Sequence, residues 1–210
     1  MLTKDKTLLK YTTELGSKLP APGGGSAAAV SASLGTSLLM MVANLTIGKK
    51  NYLEYEARLI EIVEFLTKKY SLFLDLSDKD AEAFIPLSIA YKLPRNTEKE
   101  QLLRKSEIEK CLYQAANAPL ELMKEIRAVL SYSQKLCEIG SRLAISDVGA
   151  GIKLLQAGCD TAYLNVIINT KLMQDKSKAS VYDEEALILK NEISDICDKV
   201  YKLVCDEIKM

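Results

Sequence analysis

The stretch Pro20-Ala21-Pro22-Gly23-Gly24-Gly25-Ser26 is the first place where residue types in this chain point to chemistry. Two prolines stiffen the backbone and three glycines clear side chains from the turn. The free amides of a helix starting there, at its positive dipole end, suit an anion or the polar edge of a ring. A tight turn capped by Ser26 explains the same residues, although three consecutive glycines carry an entropy cost that a plain turn does not require. Further along comes Asn44-Leu45-Thr46-Ile47-Gly48-Lys49-Lys50. Gly48 fits a left-handed C-cap, and Lys49 and Lys50 stabilise a negative dipole end without any ligand. Asn44, an amide in an apolar helix, is left over.

The third candidate is Ser77-Asp78-Lys79-Asp80-Ala81-Glu82-Ala83-Phe84. Ser77 and Asp80 have the three-residue offset of a capping box. An Asp half-buried at a helix start also serves as acid or base once desolvation raises its pKa. Both readings of Asp80 stay open. The fourth candidate begins at Ser146-Asp147. At 100° per residue, Asp147, Gly151, Gly158, Ala162, Asn165 and Asn169 fall within a sector of about 60°. Small residues and amides on one face make either a close helix contact or a groove that hydrogen-bonds a ligand.

The sequence has no His, which excludes Ser-His hydrolysis, His-based zinc chemistry and imidazole acid–base work. Carboxylates, Lys, Tyr, Cys and backbone dipoles remain. Lys plus Arg and Asp plus Glu both total 28, so no positive field recruits nucleic acid or anionic lipid. The five Cys, at 111, 137, 159, 197 and 205, have no C-x-x-C spacing and read as buried thiols of a cytoplasmic protein. The opening MLTKDKTLLKYTTE has no apolar leader.

The elements that must position these residues are helices, since apolar spacing of three and four recurs and sustained alternation is absent. A first amphipathic segment covers 4–18, and a second helix starts at glycines 23–25. No charge lies between Lys18 and Lys49, which raises the question of a membrane span. The stretch is rich in Ser, Thr and Ala and flanked by similar lysine counts, so it reads as the enclosed central helix of a bundle and not as a span. Leu59, Ile62, Val63, Leu66, Tyr70 and Phe73 mark a helix over 51–76, continued over 78–93 after a break at Ser77. Thr97 and Glu100 open a capping-box helix that passes Pro119 with a kink and ends near Glu138. Further helices cover 146–173 and 183–208, with 174–182 as a linker. The expected architecture is all-α: a single domain over 1–210, an up-and-down bundle of long antiparallel helices around an apolar central helix.

Taken together, LPAPGGGSAAA, MVANLTIGKKNY, DAEAF with AYKLP, and SDVGAG with LNVIIN resemble the cyclodeaminase/cyclohydrolase family. These motifs come in family order over about residues 8–173, and the first two are specific. Ile85 and Pro86 depart from the pattern, since many members have a polar residue and no proline there. The resemblance implies a homodimeric helical bundle acting on the one-carbon unit of tetrahydrofolate. The reaction is either formation of 5,10-methenyltetrahydrofolate and ammonia from the 5-formimino form, or hydrolysis of the methenyl form to 10-formyltetrahydrofolate. Under it, Asp80 or Asp147 is the acid–base group and cation stabiliser, and Asn165 and Asn169 hydrogen-bond the pterin. Pro22, Gly23, Gly24, Gly25 and Ser26 shape the pocket, Asn44 joins the substrate-binding set, and Lys49 and Lys50 meet the glutamate tail. Carboxylates suffice for either reaction, so no metal or redox cofactor is expected. A non-catalytic folate-binding or scaffold protein is the competing reading.

Overall fold

The computed structural model describes residues 1–209 and contains, among them, seven α-helices and no strand. These are α1 (Leu8–Leu15), α2 (Gly24–Thr46), α3 (Glu56–Ala90), α4 (Glu98–Leu130), α5 (Ser133–Ile139), α6 (Ile145–Leu172) and α7 (Lys176–Lys209). Single stretches of 3-10 helix at Thr3–Asp5, Lys50–Tyr55 and Arg142–Ala144 join them.

α2 is the centre of the bundle, packed mainly on α3 and α6, while α6 also packs on α4 and α7. Its mean hydropathy of 1.6 and length would let it cross a membrane, but 56% of its most apolar window is buried inside the molecule. Ala28, Ala32, Leu39, Val42 and Ala43 all face the main core. Small residues set the α2–α6 distance. A Cβ on Gly35 would lie 2.6 Å from the Gly151 carbonyl oxygen, and one on Gly158 would lie 2.9 Å from that of Ala28. The paired levels Ala28–Gly158 and Gly35–Gly151 also show that the helices run antiparallel. Because backbone obstructs the added carbon, Gly35→Ala is expected to cost about 1–3 kcal/mol in urea unfolding. An unchanged urea midpoint would refute this account of the contact.

Several helix boundaries differ from the sequence reading. α3 runs unbroken through Ser77, whose buried hydroxyl bonds across to Ser26 and Thr3 and caps nothing in its own helix. It also continues through Ile85 and Pro86 to Ala90. Residues 51–55 belong to a 3-10 stretch, so α3 begins later than expected. The capping box at Thr97 and Glu100 is present, but α4 stops at Leu130. There the hydroxyls of Ser131 and Ser133 donate to the carbonyls of Ala128 and Leu130 and close the helix end before α5. The expected linker at 174–182 is mostly helical. Asp175 accepts from the Lys178 amide at 3.0 Å and so caps α7, an Asx signal that the surrounding polar run concealed.

Four of the five cysteines are buried and all are free. Burial pushes the Cys159 and Cys197 thiols up to about 12, so they remain protonated. The apolar interior is split. A large cluster joins α2, α3, α4, α6 and α7, and a smaller one gathers Leu87, Ala90, Cys111, Leu112, Ala115, Ala116, Met173 and Ala179.

Candidate active site

At the start of α2 lies a pocket of about 230 Å³. Pro20, Ala21, Gly23, Gly24 and Gly25 line one side, and Asp80, Ala81 and Phe84 come from α3. Ala115 is supplied by α4, and Asn165 and Asn169 by α6. Four helices therefore converge on one small volume. Its walls are mostly Ala and Gly, with one carboxyl group and two amides as side-chain polar groups.

The position of Asp80 follows from what α2 lacks. The first amides of a helix need acceptors, yet Gly23 at the N-cap has no side chain to offer one. Asp80, projecting from the middle of α3, stands against that first turn in its place, where the Ser26 amide favours its ionised form. It does cap a helix, but not its own. The approach is close because position 25 is bare: a Cβ on Gly25 would sit 2.0 Å from Asp80 Oδ1. Burial pushes the Asp80 carboxyl above the ordinary carboxylate range, and the Ser26 amide offsets only part of that rise. The result is a half-buried acid, placed against a helix start, that binds a proton more readily than a surface Asp does.

The asparagines stand one helical turn apart on α6. Asn165 Nδ2 donates to the Thr161 carbonyl at 2.8 Å, and Asn169 Nδ2 donates to the Asn165 carbonyl at 2.7 Å. Since carbonyls only accept, these contacts fix both amide orientations and leave each Oδ1 as the free acceptor. Asn169 Nδ2 also donates to the Ala115 carbonyl at 3.2 Å. That carbonyl is available because Pro119, four residues on, has no amide hydrogen to return to it. The mid-helix proline thus anchors a pocket residue on another helix.

Behind the pocket, a hydrogen-bonded chain fixes the first turn of α2. Ser26 Oγ shares hydrogen bonds with Tyr11 OH at 3.0 Å and Ser77 Oγ at 2.6 Å. Ser77 Oγ in turn meets Thr3 Oγ1, which donates to Asp78 at 2.7 Å. These bonds tie the N-terminal segment and α2 to α3 one turn before Asp80.

The residues singled out in the sequence divide into two groups. Gly23, Gly24, Gly25, Asp80, Asn165 and Asn169 come together at the pocket. Pro22 and Ser26 sit behind it; both are buried, and the Ser26 hydroxyl is turned toward Tyr11 and Ser77. Asp147 lies in the first turn of α6, 18 positions before Asn165, or about 27 Å along the axis at 1.5 Å per residue. Asn44, Lys49 and Lys50 are at the far end of α2, roughly 30 Å from the glycines at the same rise. Asn44 is solvent-exposed, so its amide needs no partner, and Lys49 Nζ donates to Ser141 Oγ at 2.8 Å. In one chain, then, Asp147, Asn44 and both lysines are not part of this pocket. Likewise the shared face on α6 is two things: Gly151, Gly158 and Ala162 pack helices, while Asn165 and Asn169 line the pocket. The sequence reading missed Ala115, for which Pro119 was the available signal, while Ala81 and Phe84 lay in its third candidate without an assigned role.

The profile of the formiminotransferase-cyclodeaminase family matches residues 7–187. Methenyltetrahydrofolate cyclohydrolase of Methylorubrum extorquens is 34% identical over 204 residues, covering 97% of this chain and 98% of that protein. Formimidoyltransferase-cyclodeaminase of Rattus norvegicus is 33% identical over 171 residues, covering 81% of this chain but 32% of that protein. The crystal structure of formiminotetrahydrofolate cyclodeaminase from Thermotoga maritima superposes with a TM-score of 0.88 at 26% identity, covering 98% of each chain.

Proposed function

The chain belongs to the formiminotransferase-cyclodeaminase family, and from that premise we propose that its pocket works on the one-carbon bridge between N5 and N10 of tetrahydrofolate. It is an enzyme, a formiminotetrahydrofolate cyclodeaminase or a methenyltetrahydrofolate cyclohydrolase. The observation that carries the residue assignment is the meeting of Asp80, the α2 start and the two asparagines around one pocket.

In the cyclodeaminase reaction N10 attacks the formimino carbon, loses its proton, and the carbon–nitrogen bond to the departing ammonia breaks. In the cyclohydrolase reaction water adds to the methenyl carbon, a proton is removed from it, and the carbon–N5 bond breaks as N5 gains a proton. Both pass through a cationic amidinium and both require one group that accepts and then returns a proton. Asp80 fills that role: ionised it offsets the cation, and its raised pKa makes it a better base for the proton it takes and later returns. The free Oδ1 atoms of Asn165 and Asn169 match the ring N–H and amino donors of a pterin edge. No metal or redox cofactor enters the scheme. The protein is read as a cytoplasmic homodimer, with Lys49 and Lys50 receiving the glutamate carboxylates.

Two assays test this reading. Purified protein given 5,10-methenyltetrahydrofolate should abolish its near-ultraviolet absorbance, and protein given the 5-formimino substrate should release ammonia. The faster of the two ranks the reactions, and activity in neither refutes the proposal. Removing one amide acceptor at a time, as Asn165→Ala or Asn169→Ala, should raise KM about tenfold, as loss of a hydrogen bond of about 1–1.5 kcal/mol does. KM values equal to wild type would exclude both from pterin binding.

A further inference from the structure

The hydroxyls behind the pocket form a row with a fixed direction. Each carries a single hydrogen. Thr3 Oγ1 gives its hydrogen to the Asp78 carboxylate at 2.7 Å, so in its 3.1 Å contact with Ser77 it can only accept. Ser77 therefore donates to Thr3, and in its 2.6 Å contact with Ser26 it accepts. Ser26 donates to Ser77, which leaves Tyr11 OH as the donor at 3.0 Å. Every hydrogen in the row points the same way, from the phenol to Asp78. The Asp78 carboxylate is held at the end of the row by the Thr3 amide, which reaches its two oxygens at 2.9 and 3.1 Å.

This direction matters because two of the hydroxyls stand beside the acid of the pocket. Ser77 precedes Asp80 by three residues and shares its side of α3, and Ser26 belongs to the turn against which Asp80 rests. Both serines are fully buried, so no bulk water competes for their hydrogens. A hydroxyl turned onto a carboxylate favours its ionised form and would make Asp80 a weaker base. Neither is turned that way. Burial raises the Asp80 pKa and the Ser26 amide opposes the rise, with no side-chain donor acting on the group. The charges around it are engaged elsewhere: Lys79 is paired with Glu121 of α4 and Lys6 with Glu14 of α1. The first turn of α2 carries no charge, and the α6 residues in the pocket are amides. Asp78 and Glu82 of α3 and the Tyr11 phenol complete its titratable neighbours.

We propose that Thr3 and Asp78 are positioning residues for the reaction at Asp80: they hold the Tyr11, Ser26 and Ser77 hydrogens turned away from the acid, which so remains free to take the substrate's proton. This deepens the folate reading above and rests on it. It gives the 3-10 turn at Thr3–Asp5 a part in the reaction although none of its residues lines the pocket.

Three substitutions that change no charge test it in the full-length protein, read by NMR titration of the Asp80 carboxyl carbon and by the pH–rate profile. Thr3→Val removes the acceptor of the Ser77 hydrogen, and Ser77→Ala removes that of the Ser26 hydrogen. In each, the freed hydrogen turns onto Asp80, whose titration should move down by about one pH unit, toward the ordinary carboxylate range. The acid limb should follow, and kcat at neutral pH should fall about threefold with KM little changed. Thr3→Ser should restore the wild-type values. Tyr11→Phe removes a hydrogen bond from the same row but leaves every remaining hydrogen pointing to Asp78, so the Asp80 titration and the acid limb should stay in place. A purely structural row predicts the same behaviour for all three variants. An unmoved Asp80 titration in whichever of Thr3→Val and Ser77→Ala folds overturns the proposal, and so does an equal shift in Tyr11→Phe. If the titration moves as expected in a protein whose wild type turns over no folate, the folate reading fails and the directed row stands.

Discussion

Asp80→Asn lowers turnover about 10²–10⁴-fold, the range for loss of a general acid–base group, and leaves the melting temperature at neutral pH unchanged or raised. The two halves of that expectation come from one cause. Burial holds the Asp80 carboxyl above its ordinary range, so the folded protein prefers it protonated. Its contribution to stability is therefore full below the ordinary carboxylate pKa and is lost as pH rises through the raised value. At neutral pH the ionised group is a cost that Asn does not carry. The stability gap between variant and wild type should close on acidification. The acid limb of the wild-type pH–rate profile should lie above the usual carboxylate range and be missing in the variant's residual activity. A variant with near-full turnover would remove Asp80 from the mechanism, and one that melts far below wild type would make it a structural cap alone.

Gly25→Ala isolates position from chemistry. The added carbon would sit 2.0 Å from Asp80 Oδ1 and 2.4 Å from its Cγ, so the carboxyl group must swing away. The obstructing atoms are the far end of a side chain, not backbone as at Gly35, so stability should fall by only about 1 kcal/mol. Activity should fall about 10²-fold, as expected when a reacting group moves by an ångström. In an Asp80→Ala background the same substitution should cost almost no stability, a coupling that a double-mutant cycle in urea reads directly. Independent effects of the two substitutions would show that the glycine is not there for Asp80.

The helical fold was legible because its signals are local. The capping box at Thr97 and the bare start of α2 are written within a few residues, and the periodic apolar positions of α3 and α7 repeat within each turn. Signals of equal local strength misled where a partner from elsewhere decided the outcome. Ser77 and Asp80 have capping-box spacing, yet Ser77 bonds to Ser26 and Asp80 caps α2, and both contacts cross from one helix to another. The face shared by Gly151, Gly158, Asn165 and Asn169 is real, but only its distance from the start of α2 separates helix packing from the pocket.

Residue types alone, by the absence of His, left carboxylates, Lys, Tyr, Cys and backbone dipoles, and marked the triglycine turn, the Asn44–Lys50 stretch, Asp80, Asp147 and the two asparagines as candidates. Spacing alone made the chain a set of long helices with an apolar one at the centre. Which candidates meet was settled by packing: α2 and α6 touch through glycines and run antiparallel, so Gly24 faces Asn165 while Lys50 and Asp147 are carried to the far end. Periodicity records which side of a helix is apolar, within one turn of backbone. It holds no information about which two ends of different helices become neighbours, because that depends on side-chain volumes summed over the whole interface.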